Sequence, residues 1–151
     1  MSVLDTDLWP NDLLAEEAVT PLDIIRKQAS LVGSKTNHLI EGEIDSIPFG
    51  QTSLINVELL VSQALAPRSM GFSASNYIVH RFTLVSPAMG GYRYTLFSVI
   101  TSLALYPVVI TWRDEHIRCN NEADLLTTLA QILQSESTRQ TIQSMISHSK
   151  A

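Results

Sequence analysis

"YIVHRFTLVSPAMGGYRYTLFSVIT", residues 77–101, is the stretch whose reading decides the fold. Val, Ile, Phe, Tyr and Thr crowd both of its halves, and these residues fit a pleated, half-buried surface. Pro87 and the Gly90–Gly91 pair separate the halves, and glycine supplies the positive φ that a tight reversal needs. The stretch therefore reads as two antiparallel strands joined by a hairpin loop. Setting Ser86 opposite Tyr92 places His80 opposite Ser98, on a face shared with Ile78, Phe82, Leu84, Tyr94, Leu96 and Ile100. The other face takes Arg81, Thr83, Arg93 and Thr95 beside Val79, Val85, Phe97 and Val99.

The same period of two extends in both directions. Upstream, "LIEGEIDSI" (39–47) sets Ile40, Gly42 and Ile44 against Glu41, Glu43 and Asp45. "SLINVELLVSQAL" (53–65) alternates in the same way, and "PRSMGFSASN" (67–76) reads as a loop. Downstream, "YPVVITW" and "HIRC" form a further hairpin around a polar loop at Arg113, Asp114 and Glu115.

Helical spacing appears only outside this block. "TPLD" (20–23) offers Thr20 as an N-cap, Pro21 at the first helical position and Asp23 as the capping-box acid. Leu22, Ile25, Ala29 and Val32 then recur at helical intervals to about Ser34. After the strands, Asn120, or Asn121 with Asp124 as its matching acid, caps a C-terminal helix whose apolar stripe is Leu125, Leu126, Leu129, Ile132 and Leu133. "SEST" (135–138) breaks it, with Ser137 expected to cap a last helix carrying Ile142, Met145 and Ile146. Helices segregated from strands in this way predict an α+β fold. Its antiparallel sheet has about five or six strands, with an N-terminal helix and a C-terminal helix or helix pair packed on one face. Residues 20–151 make the single α+β domain, and residues 1–19 an acidic N-terminal arm.

Charge sharpens that division. Residues 1–25 hold six acids and no Lys or Arg, while the remaining nine acids and all ten bases lie beyond them. The net charge of −5 thus belongs to the arm, on a nearly neutral body. The bases are scattered and form no clustered footprint of the kind nucleic-acid binding requires. Cys119 is the sole cysteine, which excludes an internal disulfide and favours a reducing, cytoplasmic compartment. The apolar-rich stretch 96–112 is interrupted by Ser98, Thr101, Ser102 and Pro107 and reads as strands, so no membrane partner is expected.

Four constellations could carry chemistry. His80 with Ser98 is a conceivable base and nucleophile, but no acid is placed to orient the imidazole and no nucleophile elbow is present. His116 and Cys119 stand three apart on a strand, so they face opposite ways and share no metal ion. Cys119 then reads as a small buried hydrophobe and Trp112 with Arg118 as a stacked pair. Glu41, Glu43 and Asp45 lie about 7 Å apart along one strand face, without the loop spacing of a calcium site. Arg81 and Arg93 could grip an anion or simply meet strand carboxylates. No phosphate loop, dinucleotide fingerprint or zinc spacing appears, and no cofactor or metal is expected.

Several strands are apolar on both faces, which predicts a sheet surface offered to a partner or to a second copy. With Ile117 and Cys119 assigned to one face, Ile110, Trp112, His116 and Arg118 fall on the other and supply that surface. Trp9 in the acidic arm is a second contact element, set in an acid-rich apolar segment of the kind that docks in grooves. The sequence thus points to a non-catalytic protein-interaction module: an adaptor, an inhibitor or immunity-like protein, or a chaperone-like protein, forming a homodimer through its sheet. The alternative is a small-molecule-binding protein or small hydrolase with a pocket near His80 and Ser98.

Overall fold

The computed structural model describes residues 5–11, 19–48 and 77–150. Helix α1 (Pro21–Lys35) is followed by strands β1 (Glu41–Pro48), β2 (Tyr77–Ser86), β3 (Tyr92–Ser102), β4 (Val108–Trp112) and β5 (Glu115–Cys119), then helices α2 (Glu122–Leu133) and α3 (Glu136–Ser149). The strands form one antiparallel sheet in the order β1-β2-β3-β4-β5, so every neighbour in sequence among these five is a neighbour in space. The α+β arrangement and the helix pair at the C-terminal side are as the sequence predicts. The strand expected at 53–65, the loop at 67–76 and residues 1–4 and 12–18 of the arm lie outside the described residues.

Local chemistry explains the helix boundaries. Thr20 accepts a hydrogen bond from the Asp23 amide, and the Asp23 carboxylate accepts one from the Thr20 amide, closing a capping box. Those bonds hold the Asp23 carboxyl below its ordinary range. Asn121 caps α2 through the Asp124 amide at 2.8 Å. Helix α3 is capped by Ser135, whose hydroxyl accepts from the Thr138 amide. Ser137, expected to be the cap, is already helical. Buried Thr138 donates to the Ile132 carbonyl at 2.7 Å, which ties the start of α3 to the end of α2.

The three described helices cover one face of the sheet. Ile25 and Ala29 of α1, Leu125, Leu129 and Ile132 of α2, and Met145 of α3 enclose Phe82, Leu84, Phe97, Val99 and Ile110 in one core. Helix α1 can lie this close because β1 has glycine at position 42. A Cβ there would stand 2.8 Å from the Ala29 Cα and 2.7 Å from its carbonyl oxygen.

Two one-residue irregularities change which side chains face the helices. The β2–β3 register begins with Ser86 opposite Tyr92, but it shifts between Phe82 and Thr83. Phe82 pairs with Phe97 and Thr83 with Thr95, so Leu96 is the extra residue of a β-bulge. The bulge turns both Leu96 and Phe97 toward the helices, and Phe97 stacks on Phe82 with ring centroids 4.9 Å apart. Beyond it the parity of β3 is reversed, so Val99, and not Ser98, stands opposite His80.

The β4–β5 turn is the second. Its loop is two residues, Arg113 and Asp114, both with positive φ (51° and 65°), the signature of a type I′ turn. Glu115, expected in the loop, pairs with Trp112 as the first residue of β5. Ile110 therefore pairs with Ile117 on the helix side, together with Val108, Trp112 and Cys119.

Candidate binding groove

Ile110 is fully buried in the core and cannot be part of an exposed contact surface. Trp112 is half-buried against the same core, and its ring is stacked by the guanidinium of Arg113 at 5.6 Å. Arg118, expected to stack there, lies on the opposite face and bonds the Asn120 side chain at 2.7 Å.

Away from the helices, the described residues of the sheet do not form the apolar patch expected. Val79, Ile100 and Val109 on that face are only 4 %, 2 % and 0 % exposed within the single chain. Around them the surface is polar. Arg93 pairs with Glu43 at 2.6 Å and reaches Asp45 at 3.5 Å, and Arg81 stands 3.8 Å from Asp45. The two arginines thus meet the strand carboxylates.

His80 is buried, with Nδ1 2.7 Å from the Ser46 hydroxyl and Nε2 2.9 Å from the Thr101 hydroxyl. The bulge explains the partners: it carries Ser98 to the other face and brings Thr101 round to the imidazole. Burial, with Arg26 nearby, holds the imidazole below its ordinary 6.5 and keeps it neutral at neutral pH. A neutral imidazole between two hydroxyls, with no carboxylate among the described residues on either nitrogen, is a satisfied buried histidine; the expected His80–Ser98 pair is not assembled.

Cys119 and His116 face opposite ways. Cys119 is sealed in the core, 3.6 Å from the Thr128 hydroxyl, and burial pushes its thiol pKa up, away from nucleophilic use. His116 bonds Thr111 across the hairpin at 3.2 Å.

One concave feature of the helix side is a groove of about 510 Å3 between α1 and the α2–α3 pair. Phe82, Leu84 and Leu96 of the sheet form its floor. Leu31 and Val32 of α1 make one wall; Leu126, Leu129 and Leu133 of α2 with Ile142 of α3 make the other. The rim is Gln28, Lys35 and Gln134, so among the described residues no carboxylate lines the groove and Lys35 is its charged residue. Leu126 is 46 % exposed at the edge. A volume in the range of ligand pockets, apolar walls and a thin polar rim make a site for an apolar group.

A second, more open cleft of about 550 Å3 lies between the β2–β3 hairpin and α3, where Tyr92 and Tyr94 face Gln140, Thr141, Ser144 and His148. His148 donates through Nδ1 to the Ser144 carbonyl at 2.7 Å.

Sequence reasoning did not assemble the groove, although part of its signal was present. Leu125, Leu126, Leu129, Ile132 and Leu133 are too many apolar positions for one buried stripe. Leu125, Leu129 and Ile132 fill the core, while Leu126 and Leu133 widen the stripe toward α1. Trp9 stands apart from the groove. It is 73 % exposed beside Leu8 at 87 %, with its amide bonded to the Asp7 carboxylate. A scan against protein-family models finds no match, and searches of curated proteins and of solved structures likewise find none.

Proposed function

We propose that this chain is a non-catalytic protein-interaction module, of the adaptor, inhibitor or chaperone-like kind, acting in a reducing cytoplasmic compartment. It receives an apolar, acid-flanked segment of a protein chain in the groove between α1 and α2–α3. The observation that carries this reading is the groove itself: a leucine-walled channel floored by Phe82 and Leu84, with Lys35 and no described carboxylate on its lining. Burying apolar side chains of the incoming segment drives association, at about 25 cal/mol per Å2 removed from water. Lys35 favours a segment with acids beside its anchors. The test is affinity capture from the native host with the wild-type chain and with Leu126→Glu. Leu126 is exposed enough for the fold to tolerate the change, so proteins held through the groove should be present with the first bait and absent with the second. An identical set with both baits would refute the reading.

A second reading, small-molecule binding, is favoured by the Tyr92–Tyr94 cleft, whose described lining mixes tyrosines, methionines and uncharged polar groups with His148 and carries no carboxylate, lysine or arginine. It predicts that Tyr94→Ala weakens binding of a neutral ligand found by thermal-shift screening, and that Leu126→Glu leaves that binding intact.

A further inference from the structure

The chain carries both halves of a contact that its own fold leaves apart. One half is the groove, apolar within and positive at its rim through Lys35. The other is the arm, where Leu8 and Trp9 stand 87 % and 73 % exposed and are flanked by Asp5, Asp7 and Asp12. Two adjacent large apolar side chains left in water are costly, and covering them drives association. Leu8 and Trp9 are not among the residues that line the groove of their own chain. Exchange of an identical element between two copies is a low-cost route to a dimer.

We infer that the groove's partner is the acidic arm of a second copy of this chain, with Leu8 and Trp9 seated over Phe82, Leu84 and Leu126 and the arm's aspartates beside Lys35. This rests on the groove being the contact surface and names what fills it. Charge supports the choice of occupant: the arm segment contributes acids only, and the described lining contributes a lysine and no acid. Length supports it too. Ten residues lie between Trp9 and Thr20, and the eleven steps from one to the other can span roughly 36–40 Å when extended, whereas α1 is only about 22 Å long. Reciprocal exchange closes a two-fold dimer with two identical arm–groove contacts, and the second contact forms at high effective concentration once the first is made.

The experiment is light scattering on the full chain across the micromolar range for three proteins: wild type, the Leu8→Ser/Trp9→Ser double variant, and Leu126→Glu. All three substituted side chains are exposed, so circular dichroism should show the fold retained. The wild type should have the mass of two chains and each variant the mass of one. Mixing the two variants pairs an intact arm with an intact groove and should restore association through a single contact, more weakly than in the wild type. A monomeric wild type overturns the exchange, as does a dimer that survives either variant or a mixture that stays monomeric. Capture by the groove is a separate readout. If the wild type is monomeric but Leu126→Glu still loses its captured proteins, the exchange falls and the groove stands; if capture is also unchanged, both fall.

Discussion

Under the helices, the sheet presents Phe82, Leu84, Phe97, Val99 and Ile110, packed into one core and left open along a leucine-walled groove. On the other face, Glu43 and Asp45 meet Arg81 and Arg93 around the buried Val79, Ile100 and Val109. Both faces are built from the same five strands, and side-chain parity alone decides which residue joins which. A single bulge at Leu96 and a single residue of loop length at Glu115 therefore reassign a strand's chemistry. What this teaches is that apolar side chains stay uncovered where the helices part over the sheet, at Leu126 and along the groove, and not where a strand alternates in sequence.

The contrast can be broken most severely at the bulge. Phe97→Ala removes a ring stacked on Phe82 at the centre of the helix face and should cost about 3–5 kcal/mol, read as a lower urea midpoint. Gly42→Ala should cost about 1–3 kcal/mol, because the new methyl meets the backbone of α1 at Ala29, which has little room to retreat.

His80 makes the helix face sensitive to pH. Its pKa is lowered in the fold, so the unfolded chain takes up the proton first as pH falls below about 6.5. The stabilisation is complete above that value, declines as pH falls toward the folded-state pKa, and levels off below it. Urea midpoints at about pH 7.5 and about pH 5 should differ for the wild type, and by a smaller margin for His80→Gln. The opposite face should respond least. Glu43→Gln breaks the 2.6 Å pair with Arg93, but both side chains are nearly half exposed, so the loss should stay at or below about 1 kcal/mol and shrink in high salt.

Much of the fold was legible because its signals are local. Thr20, Pro21 and Asp23 announce α1, Asn121 and Asp124 announce α2, and the Gly90–Gly91 turn announces the central hairpin. The faces of β3 and β5 were less legible. A bulge is selected by whether Leu96 and Phe97 can both reach the helices, which depends on packing across the sheet. The type I′ turn at Arg113–Asp114 lacks the glycine that usually marks one. Strand alternation alone therefore pairs His80 with Ser98, whereas its partners are Ser46 and Thr101, and places Ile110 on a contact surface, whereas it lies in the core. The groove depends on three helices meeting over one sheet, and only the surplus leucines of α2 hinted at it.

The central claim is that contacts form on the helix side and not on the opposite face of the sheet. Sedimentation equilibrium of Leu126→Glu beside Thr95→Lys tests it most directly, because both side chains are exposed and they lie on opposite sides of the sheet. The account predicts that Thr95→Lys keeps the wild-type self-association while Leu126→Glu abolishes it. Dissociation by Thr95→Lys, with Leu126→Glu unaffected, would contradict it.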